Sequence, residues 1–257
     1  MSYLERDGHQ IWFEVTGDLA GGALPLLLSH GFSASAAMWQ PNLPVLAADR
    51  AVITWDMRGH GRSGSPADPA QYSEAATVAD MAAVLDHLGV GRAVIGGLSL
   101  GGYMSLAFWL AHPDRAAALV LCDTGPGYRR DEPRQQWNDR AEATAQRFER
   151  DGLSALSGSP ETRVAGHAGA DGLARAARGM LAQRDGRVIT ALPGIGIPVL
   201  VLVGDRDEPF LPPARYMADR IPQATLAVIP DAGHASNIDQ PELFSREVAA
   251  FLARLPA

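Results

Sequence analysis

The residues best suited to covalent chemistry are in the run Gly97-Leu98-Ser99-Leu100-Gly101-Gly102. It follows the apolar residues 93–96 and precedes a helical pattern, so it reads as a sharp strand-to-helix turn. A serine on such a turn needs small neighbours, because the backbone is strained there and passes close to itself. The turn lifts the hydroxyl clear of the sheet and aims the helix N-terminus at any developing negative charge. A serine that merely caps the helix is the simpler alternative. The strand and helix on either side favour the nucleophile.

A serine hydroxyl is a weak nucleophile at neutral pH and needs an adjacent base, itself oriented by an acid. The best base is His234, in Asp231-Ala232-Gly233-His234-Ala235, between the last strand pattern and the last helix. His30 and His60 sit in glycine turns, and His87 and His112 lie on or beside helices. His9 and His167 fall in polar stretches expected to be exposed. No pair has the His-x-His or His-Glu-x-x-His spacing of a metal site. The acid should follow a strand end. Gly204-Asp205-Arg206-Asp207-Glu208 offers three candidates and Asp123 a fourth, and spacing leaves the choice open.

These groups need a rigid frame. Residues 24–29, 51–55, 93–96, 117–122, 198–203 and 225–229 form short apolar runs, most of them bounded by Gly, Pro or Asp, as buried parallel strands require. Residues 10–15 alternate polar and apolar and predict a half-exposed edge strand. Helical periodicity covers 73–88, 100–112, 212–220 and 241–254. The alternation predicts an α/β fold, a mostly parallel twisted sheet with helices on both faces. It breaks at residues 125–196, where polar helical sequence carries 11 arginines against 9 acids. Solvated helix surface accounts for most of those charges. A small helical cap over a site, tolerant of anionic substrates, is the sharper reading. The expected division is a core of residues 1–124 and 197–257 with a cap at 125–196.

Composition excludes several chemistries. All 22 basic residues are arginine, so Schiff-base, Walker A and kinase-type lysine chemistry are impossible. A formal charge of -7 argues against broad nucleic-acid binding. The single cysteine, Cys122, allows neither an internal disulfide nor a cysteine zinc knuckle. The polar start does not read as a secretory signal, and no apolar run approaches the ~18 residues of a membrane span. The expectation is a soluble, cytoplasmic protein without membrane or nucleic-acid partners.

The chain resembles the α/β-hydrolase superfamily over nearly its full length, in the order Ser, Asp, His. Ser29-His30-Gly31-Phe32, Asp56-Met57-Arg58-Gly59-His60-Gly61-Arg62-Ser63 and Val203-Gly204-Asp205-Arg206-Asp207 strengthen the match. The resemblance maps the acid to Asp207 and the oxyanion-hole amides to Phe32 and Leu100. It leaves the Asp56–Ser63 turn a structural role and makes 125–196 the inserted cap. It is strongest to small carboxylesterases, enol-lactonases and cofactor-free haloperoxidase relatives. Dehalogenases and epoxide hydrolases carry an aspartate where Ser99 stands. Carbon–carbon-bond hydrolases often carry Asn at the position of Leu98. The implied activity is cleavage of small carboxylic esters by Ser99, His234 and Asp207, without metal or organic cofactor. The alternatives are a lactonase of the 3-oxoadipate enol-lactonase kind, a perhydrolase side activity and a non-catalytic small-molecule receptor. Trp137, Arg129 and Arg130, with Arg134 nearby, are the candidate substrate contacts.

Overall fold

Runs of Val, Leu, Ile and Ala set the frame in a computed structural model that describes residues 2–255. Eight strands form one sheet: β1 (Ser2–Arg6), β2 (His9–Thr16), β3 (Leu26–Ser29), β4 (Val52–Trp55), β5 (Ala93–Leu98), β6 (Ala116–Cys122), β7 (Val199–Gly204) and β8 (Ala224–Ile229). Their spatial order is β1-β2-β4-β3-β5-β6-β7-β8. The first two pairings are antiparallel and the other five parallel. β1 is an element the sequence reading missed, because its charged end, Glu5-Arg6, resembles a solvated terminus. It takes the edge in place of β2, which lies between β1 and β4.

The longer helices are α1 (Glu74–His87), α2 (Leu100–Ala111), α3 (Asp131–Asp151), α4 (Leu211–Arg220) and α5 (Pro241–Leu252). Ser73 starts α1 by accepting a hydrogen bond from the Ala76 amide, which satisfies one orphan donor of the first turn. Proline stands in the first turn of α4 and α5, where its missing N–H costs nothing.

Because successive strand residues face opposite sides, the sheet supports two cores. Leu27, Ile53, Ile95, Leu119 and Val201 pack on the side of α1, α2 and α4. Leu26, Leu28, Val52, Val94 and Val120 pack on the other side with Trp39 and with Phe244 and Val248 of α5. Each such fully buried side chain contributes roughly 1.5–3 kcal/mol.

Between β6 and β7 the described elements are all helical. Ala145 and Phe148 of α3 join Leu173, Ala174 and Ala177 in a third, smaller core, and Phe32 of the sheet's top packs against it. That contact is where the helical segment meets the loops after the strands.

Candidate active site

Ser99 stands between β5 and α2 with φ 55° and ψ −114°, in a backbone region that L-residues rarely adopt. Close approach explains the glycines around it. A Cβ on Gly97 would lie 2.7 Å from the Ser29 carbonyl oxygen, and one on Gly101 2.7 Å from that of His30. The turn is fixed from below: the Ser99 amide donates to the Cys122 carbonyl at 2.9 Å, and the Thr124 hydroxyl donates to the Ser99 carbonyl at 2.6 Å. The Ser99 side chain does not cap the helix. Its half-buried hydroxyl has no hydrogen-bond partner among the described residues.

His234 is held in the loop after β8. Its Nδ1 lies 2.8 Å from Asp207 Oδ2, and Phe210 packs on its ring at 4.8 Å between centroids. Asp207 is buried in the turn after β7, where its amide donates to the Gly204 carbonyl. Burial alone would lower the His234 pKa; the hydrogen bond and charge of Asp207, aided by Asp123 and Glu161, outweigh it and raise the pKa above 6.5.

The other acids have different partners. Asp205 accepts from the Ala232 amide at 3.3 Å. Asp123 is fully buried, with Oδ1 accepting from the Gly204 amide at 2.9 Å and Oδ2 from the Ser236 hydroxyl. Burial pushes the Asp123 carboxyl up to about 7, against the lowering effect of these bonds and of His234.

The β3 loop flanks Ser99: a Cβ on Gly31 would sit 3.5 Å from Ser99 Cβ. His30 ties this loop to the Asp56–Ser63 turn. Its Nε2 accepts from the Met57 amide at 2.9 Å, so Nδ1 carries the proton and donates to the Gly31 carbonyl at 2.7 Å. Burial lowers its pKa to about 4 and keeps the ring neutral. Within that turn Asp56 accepts from the Ala36 and Arg62 amides, and Arg58 forms a buried ion pair with Asp80 at 2.6 Å. Leu100 supplies the first amide of α2, one of the four a helix leaves without an internal partner.

A cavity of about 270 Å³ opens over Ser99 and Leu100, with Tyr103, Trp137, Gln183 and Phe210 among its walls. A larger, more open groove of about 830 Å³ runs along Glu14, Gln40 and Val164, and none of Ser99, Asp207 and His234 lines it. Trp137 closes one side of the smaller cavity and donates from Nε1 to the Leu181 carbonyl at 2.8 Å. Arg129 and Arg130 lie outside the lining; Arg129 approaches the Tyr216 hydroxyl at 3.4 Å. Arg134 pairs with Asp131. Sequence reasoning missed Arg140, the only charged residue lining the cavity among the described residues. Its place one helical turn beyond Trp137 on α3 is the signal that could have found it.

Sequence reasoning also misplaced two histidines. His9 is buried, and neither of its ring nitrogens has a hydrogen-bond partner among the described residues. His167 is half-buried and bonded through both nitrogens. Among the described residues no three His, Cys, Asp or Glu side chains converge as a set able to hold a metal ion, and no helix is long and apolar enough to cross a membrane.

A sheet of this order, with a strained serine after its fifth strand and a His–Asp pair on the loops of its last two, has a known family counterpart. The model of the α/β-hydrolase fold matches residues 25–192, and the chain belongs to that family. It is similar to an esterase from Thermogutta terrifontis, solved with malate bound, at 31% identity and a TM-score of 0.84 over 99% of both chains. The enol-lactonase of Burkholderia xenovorans LB400 is 28% identical, with a TM-score of 0.79 over 98% of this chain and 100% of that one. A candidate 2-succinyl-6-hydroxy-2,4-cyclohexadiene-1-carboxylate synthase of Bacillus subtilis is 29% identical over 88% of this chain and 89% of its own.

Proposed function

We propose that the protein is a serine hydrolase that cleaves small carboxylic esters through Ser99, His234 and Asp207. The observation that carries this reading is the 2.8 Å bond between His234 and Asp207, set on loops at the same end of the parallel strands as the strained Ser99. Ser99 Oγ attacks the ester carbonyl carbon while His234 Nε2 takes its proton. The resulting oxyanion is held by the amides of Phe32 and Leu100. The intermediate collapses, His234 returns the proton to the leaving alcohol, and an acyl-enzyme remains. Water, activated by the same imidazole, then releases the acid. Asp207 holds the ring so that Nδ1 carries the proton and Nε2 faces the reaction. The Ser99 hydroxyl makes no bond to His234 in the structure, and in this reading substrate binding completes that contact, since catalytic hydrogen bonds often tighten only in the Michaelis complex. In this reading residues 125–196 are a cap that shapes the cavity, and no cofactor takes part.

A second reading, a lactonase for carboxylate-bearing lactones, is favoured by one observation. Arg140 lines the cavity and forms no ion pair with any described residue, so its guanidinium is free to receive a carboxylate. A panel of neutral esters, neutral lactones and carboxylate-bearing lactones separates the two. The lactonase reading requires the anionic substrates to win, by a margin that shrinks as salt rises.

The direct test is Ser99→Ala, which should keep the fold and lower kcat on an aryl ester by at least ~10³-fold. A wild-type protein that turns over the ester yet forms no adduct on Ser99 with an organophosphonate would refute the assignment.

A further inference from the structure

His167 lies in the loop between the short helices Pro160–Arg163 and Asp171–Ala176, inside the helical segment. Both its ring nitrogens cross to loops of the sheet. Nδ1 accepts from the Gly61 amide at 2.9 Å. Nε2 is 2.9 Å from the Ser33 carbonyl oxygen, which can only accept, so Nε2 carries the proton and donates. The two partners thus select one neutral tautomer. Burial lowers the ring's pKa, against the raising effect of its bond to Ser33 and of Asp56, and this favours that neutral form.

The loop it grips is the one that carries Phe32. Ala34 donates to the Gly31 carbonyl at 3.2 Å, closing a turn with Phe32 and Ser33 at its centre. Ser33 has φ 56°, a left-handed conformation that costs free energy in any residue but glycine and persists only when its surroundings hold it. The bond from His167 falls on the carbonyl of this same residue. Phe32 is gripped as well: its ring meets His60 edge-on at 5.6 Å and Phe148 of α3 at 6.0 Å. His60 in turn lies 5.9 Å from His167. The helical segment therefore holds the turn twice, through a hydrogen bond and through packing.

We propose that His167 is a positioning residue for the oxyanion hole, fixing the Gly31–Ala34 turn so that the Phe32 amide points at the developing oxyanion. The proposal rests on the serine-hydrolase reading above. It couples the seating of the helical segment over the cavity to completion of the charge-stabilising site. Ester binding in the ground state needs little from this amide, whereas the tetrahedral intermediate needs it fully.

The experiment compares His167→Ala and His167→Gln with wild type on an aryl ester and on an arylboronic acid, which forms a tetrahedral adduct on serine. Glutamine can donate to Ser33 and accept from Gly61 as histidine does. Loss of a whole oxyanion donor costs ~10²–10³ in kcat, so a misaligned one in His167→Ala should cost ~10- to 100-fold. KM should stay within about twofold, and boronate affinity should fall alongside kcat. His167→Gln should recover most of both. Should the alanine variant be unstable, His167→Leu fills the space without hydrogen bonds and poses the same question. Wild-type kcat and boronate affinity in the Ala or Leu variant would overturn the proposal, as would a glutamine variant no better than either. An inactive Ser99→Ala beside an unimpaired His167→Ala refutes only this inference. An active Ser99→Ala refutes the reading on which it rests.

Discussion

Asp123 ends a strand, as the acid of the triad should, and the structure gives it other work. Replacing it with asparagine tests that difference twice. The substitution Asp123→Asn can keep the geometry, the new amide oxygen accepting from Gly204 and the amide nitrogen donating to Ser236, while removing the charge. In the folded protein the Asp123 carboxyl titrates near 7, against 3.8 for an unperturbed carboxyl. Between those values the folded state holds a proton that the unfolded chain has lost. The stability from Asp123 is therefore complete below pH ~4 and is lost as pH rises through about 7. Each pH unit well inside the window is worth ~1.4 kcal/mol, and the slope falls off as the folded group itself ionises, so about 2 kcal/mol disappears between pH 5 and 7. An uncharged asparagine carries no such dependence.

Urea unfolding of both proteins from about pH 5 to 8 should show the difference swinging toward Asp123→Asn by about that amount. A difference that stays flat with pH would mean that Asp123 is ionised in the fold throughout, and the burial argument fails. Activity supplies the second reading. Asp123→Asn should be mild, whereas Asp207→Asn should cost orders of magnitude, because an amide opposite Nδ1 favours the wrong imidazole tautomer. If Asp123→Asn were the crippling change, the working acid would sit one strand earlier.

The pH profile of kcat/KM should rise through a single ionisation above 6.5, since the base must be neutral and Asp207 raises its pKa; a midpoint below 6.5 in an aryl-ester assay contradicts this. Chelators should leave the rate unchanged. Trp137→Ala removes a half-buried wall and one hydrogen bond, so it should destabilise by ~1–2 kcal/mol and shift preference toward longer acyl chains. Comparing kcat/KM for short- and long-chain aryl esters checks it, and a large drop in Tm with unchanged preference would mean simple packing.

The sheet and the Ser99 turn were legible because both are local. A run such as Leu119, Val120 and Leu121 declares burial on two faces, and the glycines beside Ser99 declare a turn that no side chain could share. β1 was not legible: its value lies in pairing with β2, a contact its own residues barely encode. The choice among acids was likewise hidden. Asp123, Asp205 and Asp207 all follow strands, and only the path of the chain decides that Asp207 meets His234 while Asp123 meets Ser236. His167 was misread for the same reason, since its partners, Ser33 and Gly61, lie more than a hundred residues away.

The helical segment shows how composition can mislead about specificity. Its surplus of arginine left an anion-tolerant cap as the sharper alternative to solvated helix surface, yet several of those charges are already engaged. Arg178 joins Glu142 and Glu149, Arg187 joins Asp185, Arg150 joins Asp151 and Arg134 joins Asp131. Such exposed pairs contribute little stability and leave little net field to attract a ligand. What faces the cavity over Ser99 is a wall that includes Tyr128, Trp137 and Gln183, with Arg140 as its one charge among the described residues. Gln183 is locked there through its backbone, donating to and accepting from Asn138 at 2.8 Å, while its Oε1 is buried without a hydrogen-bond partner among the described residues. Leaving that oxygen unmatched costs about 1–3 kcal/mol, and with no surface open to the cavity it offers a substrate no hydrogen bond. Under the proposed activity, selectivity would therefore be set by the side chains that line the cavity, Trp137 and Arg140 among them, and not by the net charge of the segment that carries them.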